Sequence, residues 1–216
     1  MKRNSKRKNI ILLSISILSF ICFILLSIYI SFNKYNSLDD TIMNFFYDIR
    51  GNKKGIIFYI FRIFTEFGGT IFLIFFNGLI MLFTKGDKRF LISMLGSLFA
   101  IILFFAFKET ISRPRPDVDL MWHYQKTKSF PSGHSLLSTF VYSFFLFNLL
   151  DLNIKKNKKI LIYVITITLL LIIYISRMIL GCHYLTDIIG GILLGLSLFF
   201  IAMFIFNITN KDIYLF

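Results

Sequence analysis

Charge is scarce in this 216-residue chain, and negative charge most of all: 11 Asp and Glu stand against 24 Lys and Arg, and charged residues make up 16% of the total. Soluble domains hold about 25% charged and 45–50% apolar residues, whereas this chain is 56% hydrophobic with a mean hydropathy of +0.75. A water-soluble globule is thereby excluded, and intrinsic disorder with it. Proline is rare as well, at three residues, while phenylalanine reaches 28, and the apolar runs are long enough to cross a bilayer. Two cysteines cannot build a disulfide framework. Cys22 lies in the middle of the first apolar run and Cys182 beside the end of another. The two are expected at different membrane depths, so both are read as free thiols.

What is present is a series of six apolar segments, about Ile10–Phe32, Ile56–Phe83, Phe90–Phe107, Ser135–Leu150, Ile160–Ser176 and Tyr184–Asn207. The expected fold is all-α: a six-transmembrane-helix bundle forming one integral-membrane domain over residues 1–216. The opening stretch MKRNSKRKN resembles the basic start of a signal peptide, but the apolar run after it is too long and no small-residue cleavage site follows. It is read as a retained span. Between the first two spans, SLDDTIMNFFYDIR repeats Leu38, Ile42, Phe45, Phe46 and Ile49 at helical spacing. Ser37 and Asp40 stand at capping-box spacing, which predicts a short amphipathic helix on the membrane interface.

The formal charge of +13 would point to nucleic acid in a soluble protein. Here the basic residues sit in short clusters between apolar runs, without a basic face interleaved with aromatics. Anionic lipid headgroups are the expected partner and nucleic acid is not. Stretches 1–9, 84–89, 151–159 and the C-terminal tail carry five, three, four and one basic residues. Placing these on the inside sets both termini in the cytoplasm and the long, composition-rich loops outside.

Three stretches fall together on that outer side: KETISRPRP at 108–116, PSGH at 131–134 and SRMILGCHYLTD at 176–187. Lys108, Arg115 and Arg177 end three different spans, where a cation is costly unless an anion or water meets it. Surplus positive charge suits a phosphoryl group, to which Arg donates a two-pronged fork. His183 and Asp187 are four apart and share a helix face, so the carboxylate can fix the imidazole tautomer and leave the other nitrogen free to attack. His134 follows Ser132 and Gly133 at the start of a span, where backbone amides form an anion cradle. It is a candidate general acid. Asp117 and Asp119 are the only close pair of carboxylates in this outer loop and read as solvated, so neither a metal nor a cofactor is expected.

These stretches resemble the signature of the type 2 phosphatidic acid phosphatase superfamily, K-x6-RP, PSGH and SR-x5-H-x3-D. Lys108, Arg115 and Pro116 match its first part, Pro131, Ser132, Gly133 and His134 its second, and Ser176, Arg177, His183 and Asp187 its third. The doubled Arg-Pro leaves Arg113 as a secondary candidate. The resemblance implies His183 as a nucleophile forming a phosphohistidine, with Asp187 orienting it. It implies that His134 protonates the leaving oxygen and later activates water. Lys108, Arg115, Arg177, Ser132 and Gly133 would hold the phosphate. The implied activity is a metal-independent lipid phosphatase of the bacterial plasma membrane. Undecaprenyl diphosphate is the preferred substrate, and phosphatidic acid or phosphatidylglycerol phosphate the alternative. Transfer of the phosphoryl group to another hydroxyl, or an anion transporter, are the competing functions. Arg62 and Glu66, four apart, are expected to pair, Gly68 and Gly69 to allow close helix packing, and Trp122, His123 and Tyr124 to pack at the interface.

Single-cysteine variants in the 117–128 stretch should therefore react with an impermeant thiol reagent in intact cells. Labelling only after lysis would invert the topology.

Overall fold

The computed structural model describes residues 2–51, 55–83, 88–117, 121, 126–149 and 154–209. Among these, the regular structure is eight helices: α1 Lys2–Phe32, α2 Ser37–Arg50, α3 Ile56–Glu66, α4 Thr70–Phe83, α5 Lys88–Ile111, α6 Gly133–Leu149, α7 Lys156–Ile179 and α8 Leu185–Thr209. Four segments are long and apolar enough to cross a membrane: Lys6–Phe32, Lys88–Ile111, Lys156–Ile179 and Leu185–Thr209. The run expected as one span over 56–83 is instead two helices bent by 45°, which together would make a fifth. The break falls at the glycine pair. Gly68 and Gly69 donate to the carbonyls of Thr65 and Glu66, three residues back, at 2.9 Å each. A Cβ on Gly68 would lie 2.6 Å from the Ile173 side chain, so the bend keeps α3–α4 against α7 only because that atom is missing.

The centre of the bundle is α6 against α8. Half of the apolar window of α8 is buried, against 22% or less in the other three spans, and nearly every side chain from Ser135 to Phe144 of α6 is covered. Such close packing needs small residues, and α8 supplies Gly191 and Gly195 four apart. A Cβ on Gly191 would sit 2.6 Å from the Ser132 carbonyl oxygen, and one on Gly195 2.7 Å from that of Leu136. Gly191 thus presses α8 onto the PSGH turn, and Gly195 onto the next part of α6. Helix α1 runs along the far side of α8, where the Ser16 hydroxyl donates to the Ser197 carbonyl at 2.8 Å. Its Phe23 stacks on Phe130 of the loop before α6 at 5.8 Å. Ile17, Leu18 and Leu25 of α1, Leu98 and Ile102 of α5, and Leu161 and Val164 of α7 point outward. A continuous apolar exterior of this kind belongs in lipid.

Helix α2 forms as expected over SLDDTIMNFFYDIR, but its cap is Asn36, whose side chain accepts from the Asp39 amide at 2.9 Å. Gly51, at φ 59, ends it by donating to the Tyr47 carbonyl at 3.1 Å. Leu38, Phe45 and Ile49 lie outside the protein, as an interfacial helix requires, and Asp39, Met43 and Arg50 face in. Cys22 and Cys182 are free thiols. The basic stretches 84–89 and 151–159, which carry the orientation argument, lie partly outside the described residues.

Substituting Gly191→Ala should force α8 away from the turn and destabilise the protein by about 1–3 kcal/mol, the usual cost of overpacking. Gly78→Ala, which meets nothing within 4 Å, should be neutral or stabilising. Thermal unfolding in detergent distinguishes the two.

Candidate active site

Helix α7 stops at Gly181, whose φ of 67 reverses the chain. The amides of Cys182 and His183 then donate to the Arg177 carbonyl at 2.9 and 3.2 Å. This tight turn brings Arg177, the last basic residue of α7, beside His183 and the first turn of α8. Asp187 in that turn is fully buried, and its Oδ2 lies 3.5 Å from His183 Nδ1, a contact longer than a good hydrogen bond. The carboxylate has other partners. Oδ2 accepts from the Ser129 hydroxyl and from the Tyr184 amide at 3.0 Å, and Oδ1 accepts from Arg113 at 2.6 Å. Arg115 Nη1, which can only donate, lies 3.3 Å from His183 Nε2, so the Nε2 lone pair faces it and the ring proton is assigned to Nδ1, which is buried without a hydrogen-bond partner. Burial first, then the charges of Arg115, Lys108 and Arg177, hold the His183 imidazole well below its ordinary pKa. It is neutral at physiological pH, the form in which a ring nitrogen can attack.

The three cations named from the sequence all lie near enough to act on this ring, and Arg115 meets Nε2 directly. Arg115 donates to the carbonyls of Thr127 and Cys182, both at 2.7 Å, and to the Thr127 hydroxyl at 2.9 Å. Lys108, buried to 1% exposure, donates to the Lys128 carbonyl and lies 4.7 Å over the Phe104 ring. Arg177 donates to the Thr65 hydroxyl at 2.7 Å, and its Nε is buried with no partner. A buried donor left unpaired costs free energy unless something accepts from it. An oxyanion beside Nε2 of His183 would do so.

His134 opens α6, half-buried, with the same three cations and His183 as its charged neighbours. Gly68 of the α3–α4 bend approaches its ring, where a Cβ would come within 3.3 Å of Cδ2. Ser132, expected to help hold a phosphate, also links two helices. Its amide donates to the Asp187 carbonyl at 3.0 Å, and its hydroxyl accepts from that of Ser135 at 3.0 Å. The turn therefore joins α6 to α8, and the amides of Gly133 and His134 stand at the helix N-terminus, where an anion would meet them. A Cβ on Gly133 would strike Phe104 at 2.7 Å, so that glycine is required by an aromatic neighbour.

Two residues at the site carry more than their sequence signal indicated. Arg113, secondary by spacing, is fully buried and joins Asp187 to Asp39 of α2 at 2.6 and 2.7 Å. Asp39 also accepts from the amide and hydroxyl of Thr186 at 3.0 and 2.5 Å. Burial works against the Arg113 charge, but the two carboxylates outweigh it and raise its pKa. The doubled Arg-Pro was the only signal for this residue. Asp39, 148 positions from Asp187, had none beyond its place on a polar helix face. Trp122, His123 and Tyr124 lie outside the described residues.

A family model described as the PAP2 superfamily matches residues 89–211. Phosphatidylglycerophosphatase B of Bacillus subtilis (strain 168) is 38% identical over 129 residues. That alignment covers 58% of this chain and 56% of the relative, so the chain spans a little over half the length of the curated relative it matches. The crystal structure of a transmembrane PAP2-type phosphatidylglycerolphosphate phosphatase from Bacillus subtilis superposes with a TM-score of 0.78 at 29% identity, covering 93% of this chain and 98% of that one.

Because buried His183 resists protonation, the unfolded chain takes up a proton below pH 6.5 that the folded chain refuses. Thermal stability should fall as pH drops through that value, and His183→Asn should reduce the slope. Melting curves in detergent between about pH 7.5 and 5, spanning the ordinary histidine pKa, give the comparison.

Proposed function

The chain belongs to the PAP2 superfamily, and from that premise we propose that it is a lipid phosphatase working at the outer face of the membrane through a phosphohistidine. The observation that carries this reading is the neutral Nε2 of His183, with Asp187 behind it and three cations around it, of which Lys108 and Arg177 are buried and Arg177 keeps an unpaired donor. Six crossings are proposed: α1, the bent α3–α4 pair, α5, α6, α7 and α8. With both termini inside, the site lies at the outer end of the bundle.

In the proposed reaction, His183 Nε2 attacks phosphorus, an N–P bond forms and the ester P–O bond breaks. Lys108, Arg115 and Arg177 bind the three equatorial oxygens, over which charge spreads in phosphoryl transfer. The amides at the start of α6 add a further oxyanion contact. His134 delivers its proton to the leaving alkoxide. It then takes a proton from water as that water attacks phosphorus, and the N–P bond breaks to release phosphate. Asp187, 3.5 Å from Nδ1, faces its proton and stabilises the ring as it becomes cationic. The nearest buried carboxylates, Asp39 and Asp187, are both committed to Arg113. The site thus carries its positive charge in side chains, and the chemistry proposed is metal-independent.

For substrate, phosphatidylglycerol phosphate moves ahead of undecaprenyl diphosphate. Both Bacillus relatives carry its name. A second observation agrees: beyond Arg115 opens a cavity of about 480 Å³ whose lining includes Tyr35, Asp40, Asn44 and Asp117. Asp40, Tyr35 and Asn44 in that lining suit hydroxyl groups.

The purified protein with chelator present should release phosphate from phosphatidylglycerol phosphate faster than from polyprenyl diphosphate or a water-soluble ester. Equal rates on all would remove the substrate preference, and loss of turnover restored by magnesium would reject the metal-free chemistry. His183→Ala should abolish release and any trapped phosphoenzyme. His134→Ala should lose about 10²–10⁴-fold on the lipid phosphate and distinctly less on a nitrophenyl ester, whose phenolate leaves without a proton. Equal losses on both would make His134 a phosphate binder only.

A further inference from the structure

We propose that Arg113, anchored by Asp39 of the interfacial helix α2, is a positioning residue for phosphoryl transfer: it aims the Asp187 carboxylate at His183, so that α2 forms part of the catalytic apparatus. The inference rests on the phosphatase reading above. Asp187 Oδ2 is held by Ser129 and the Tyr184 amide, which flank His183 in the fold, and Oδ1 is held by Arg113 alone among the bonds described. Rotation of the carboxylate about its own axis is therefore stopped by the guanidinium. Arg113 in turn is fixed on every side. Its Nη2 meets Asp39 at 2.7 Å, Nε donates to the Lys34 carbonyl at 3.0 Å, Nη1 also reaches the Thr186 hydroxyl at 2.7 Å, and the Tyr184 ring lies 4.2 Å from its central carbon. Two of these anchors, Lys34 and Asp39, belong to the loop and helix that follow α1, far in sequence from every motif.

Charge explains why the arrangement is a triad. One guanidinium between two buried carboxylates leaves a net negative charge behind His183. Three cations, Lys108, Arg115 and Arg177, stand in front of it with His134. When His183 forms its bond to phosphorus, the ring becomes electron-poor, and a carboxylate at fixed distance stabilises it. A lysine at 113 could not replace the fork, because one ammonium cannot meet both carboxylates in the plane that two guanidinium edges allow.

The experiment is a double-mutant cycle on the full-length protein in detergent, with phosphatidylglycerol phosphate as substrate. Asp39→Asn, Arg113→Lys and Asp187→Asn are made singly, and the first two are combined with the third. Asp39→Asn keeps the side chain's shape, so the test survives if Arg113→Lys fails to fold. Each single change is expected to lower kcat by about 10–100-fold, the usual cost of losing an outer partner of a functional group, with KM within about twofold. In the Asp187→Asn background, Asp39→Asn should add less than about twofold, because the group it acts through is already neutral. Multiplying losses, an effect on KM alone, or full activity of Asp39→Asn would overturn the inference. Absence of phosphate release by the unaltered protein would instead overturn the phosphatase reading on which it stands.

Discussion

The ion triad Asp39–Arg113–Asp187 is the interaction on which the rest of the site depends. All three side chains are at 0% exposure. Taking such charges out of water is costly, and removing one member of a buried set strips its partners of compensation at about 3–5 kcal/mol. This constraint ties three parts of the chain together. Helix α2 brings Asp39, the turn after α5 brings Arg113, and the first turn of α8 brings Asp187. The site cannot assemble unless all three arrive.

Around the triad, charge is arranged in two layers. Behind His183 lies the carboxylate pair with its guanidinium. In front lie three cations taken from the ends of α5 and α7 and from the loop between α5 and α6. Their common field, added to burial, keeps the imidazole neutral, although a carboxylate stands 3.5 Å from it. That balance keeps the ring from becoming one half of an ion pair. It also leaves the front layer short of anions, with backbone carbonyls of Thr127, Lys128 and Cys182 taking the donors of Arg115 and Lys108. A phosphate supplies the acceptor oxygens that such a layer lacks.

The scaffold achieves this placement through missing side chains as much as through contacts. Gly191 brings α8 against the Ser132 carbonyl and Gly195 brings it against Leu136 and Thr139 of α6, which together set the distance from Asp187 to the turn bearing His134. Gly68 breaks the span over 56–83, and the break presents Thr65 to Arg177 and leaves room for the His134 ring. Two of these glycines act from α8 and the third from the α3–α4 bend, each at a place where a single methyl group would displace a neighbour.

Composition and spacing by themselves determined a helical membrane chain, the extent of its apolar runs, the amphipathic α2, and the set of residues gathered at one end. They could do so because bilayer thickness fixes run length, helical period fixes which residues share a face, and His183 and Asp187 lie within one turn of each other. The 56–83 run read as one span because hydropathy does not register a bend; only packing against Ile173 made the glycine pair an elbow. Ser132 stood out through the PSGH stretch, but only tertiary contact shows its amide meeting the Asp187 carbonyl. Arg113 and Asp39 stayed in the background for the same reason. They are 74 residues apart, no period relates them, and an aspartate on the polar face of an interfacial helix looks solvated until the helix docks. Their role is a property of the closed fold, where burial turns two scattered charges into partners that cannot be separated cheaply.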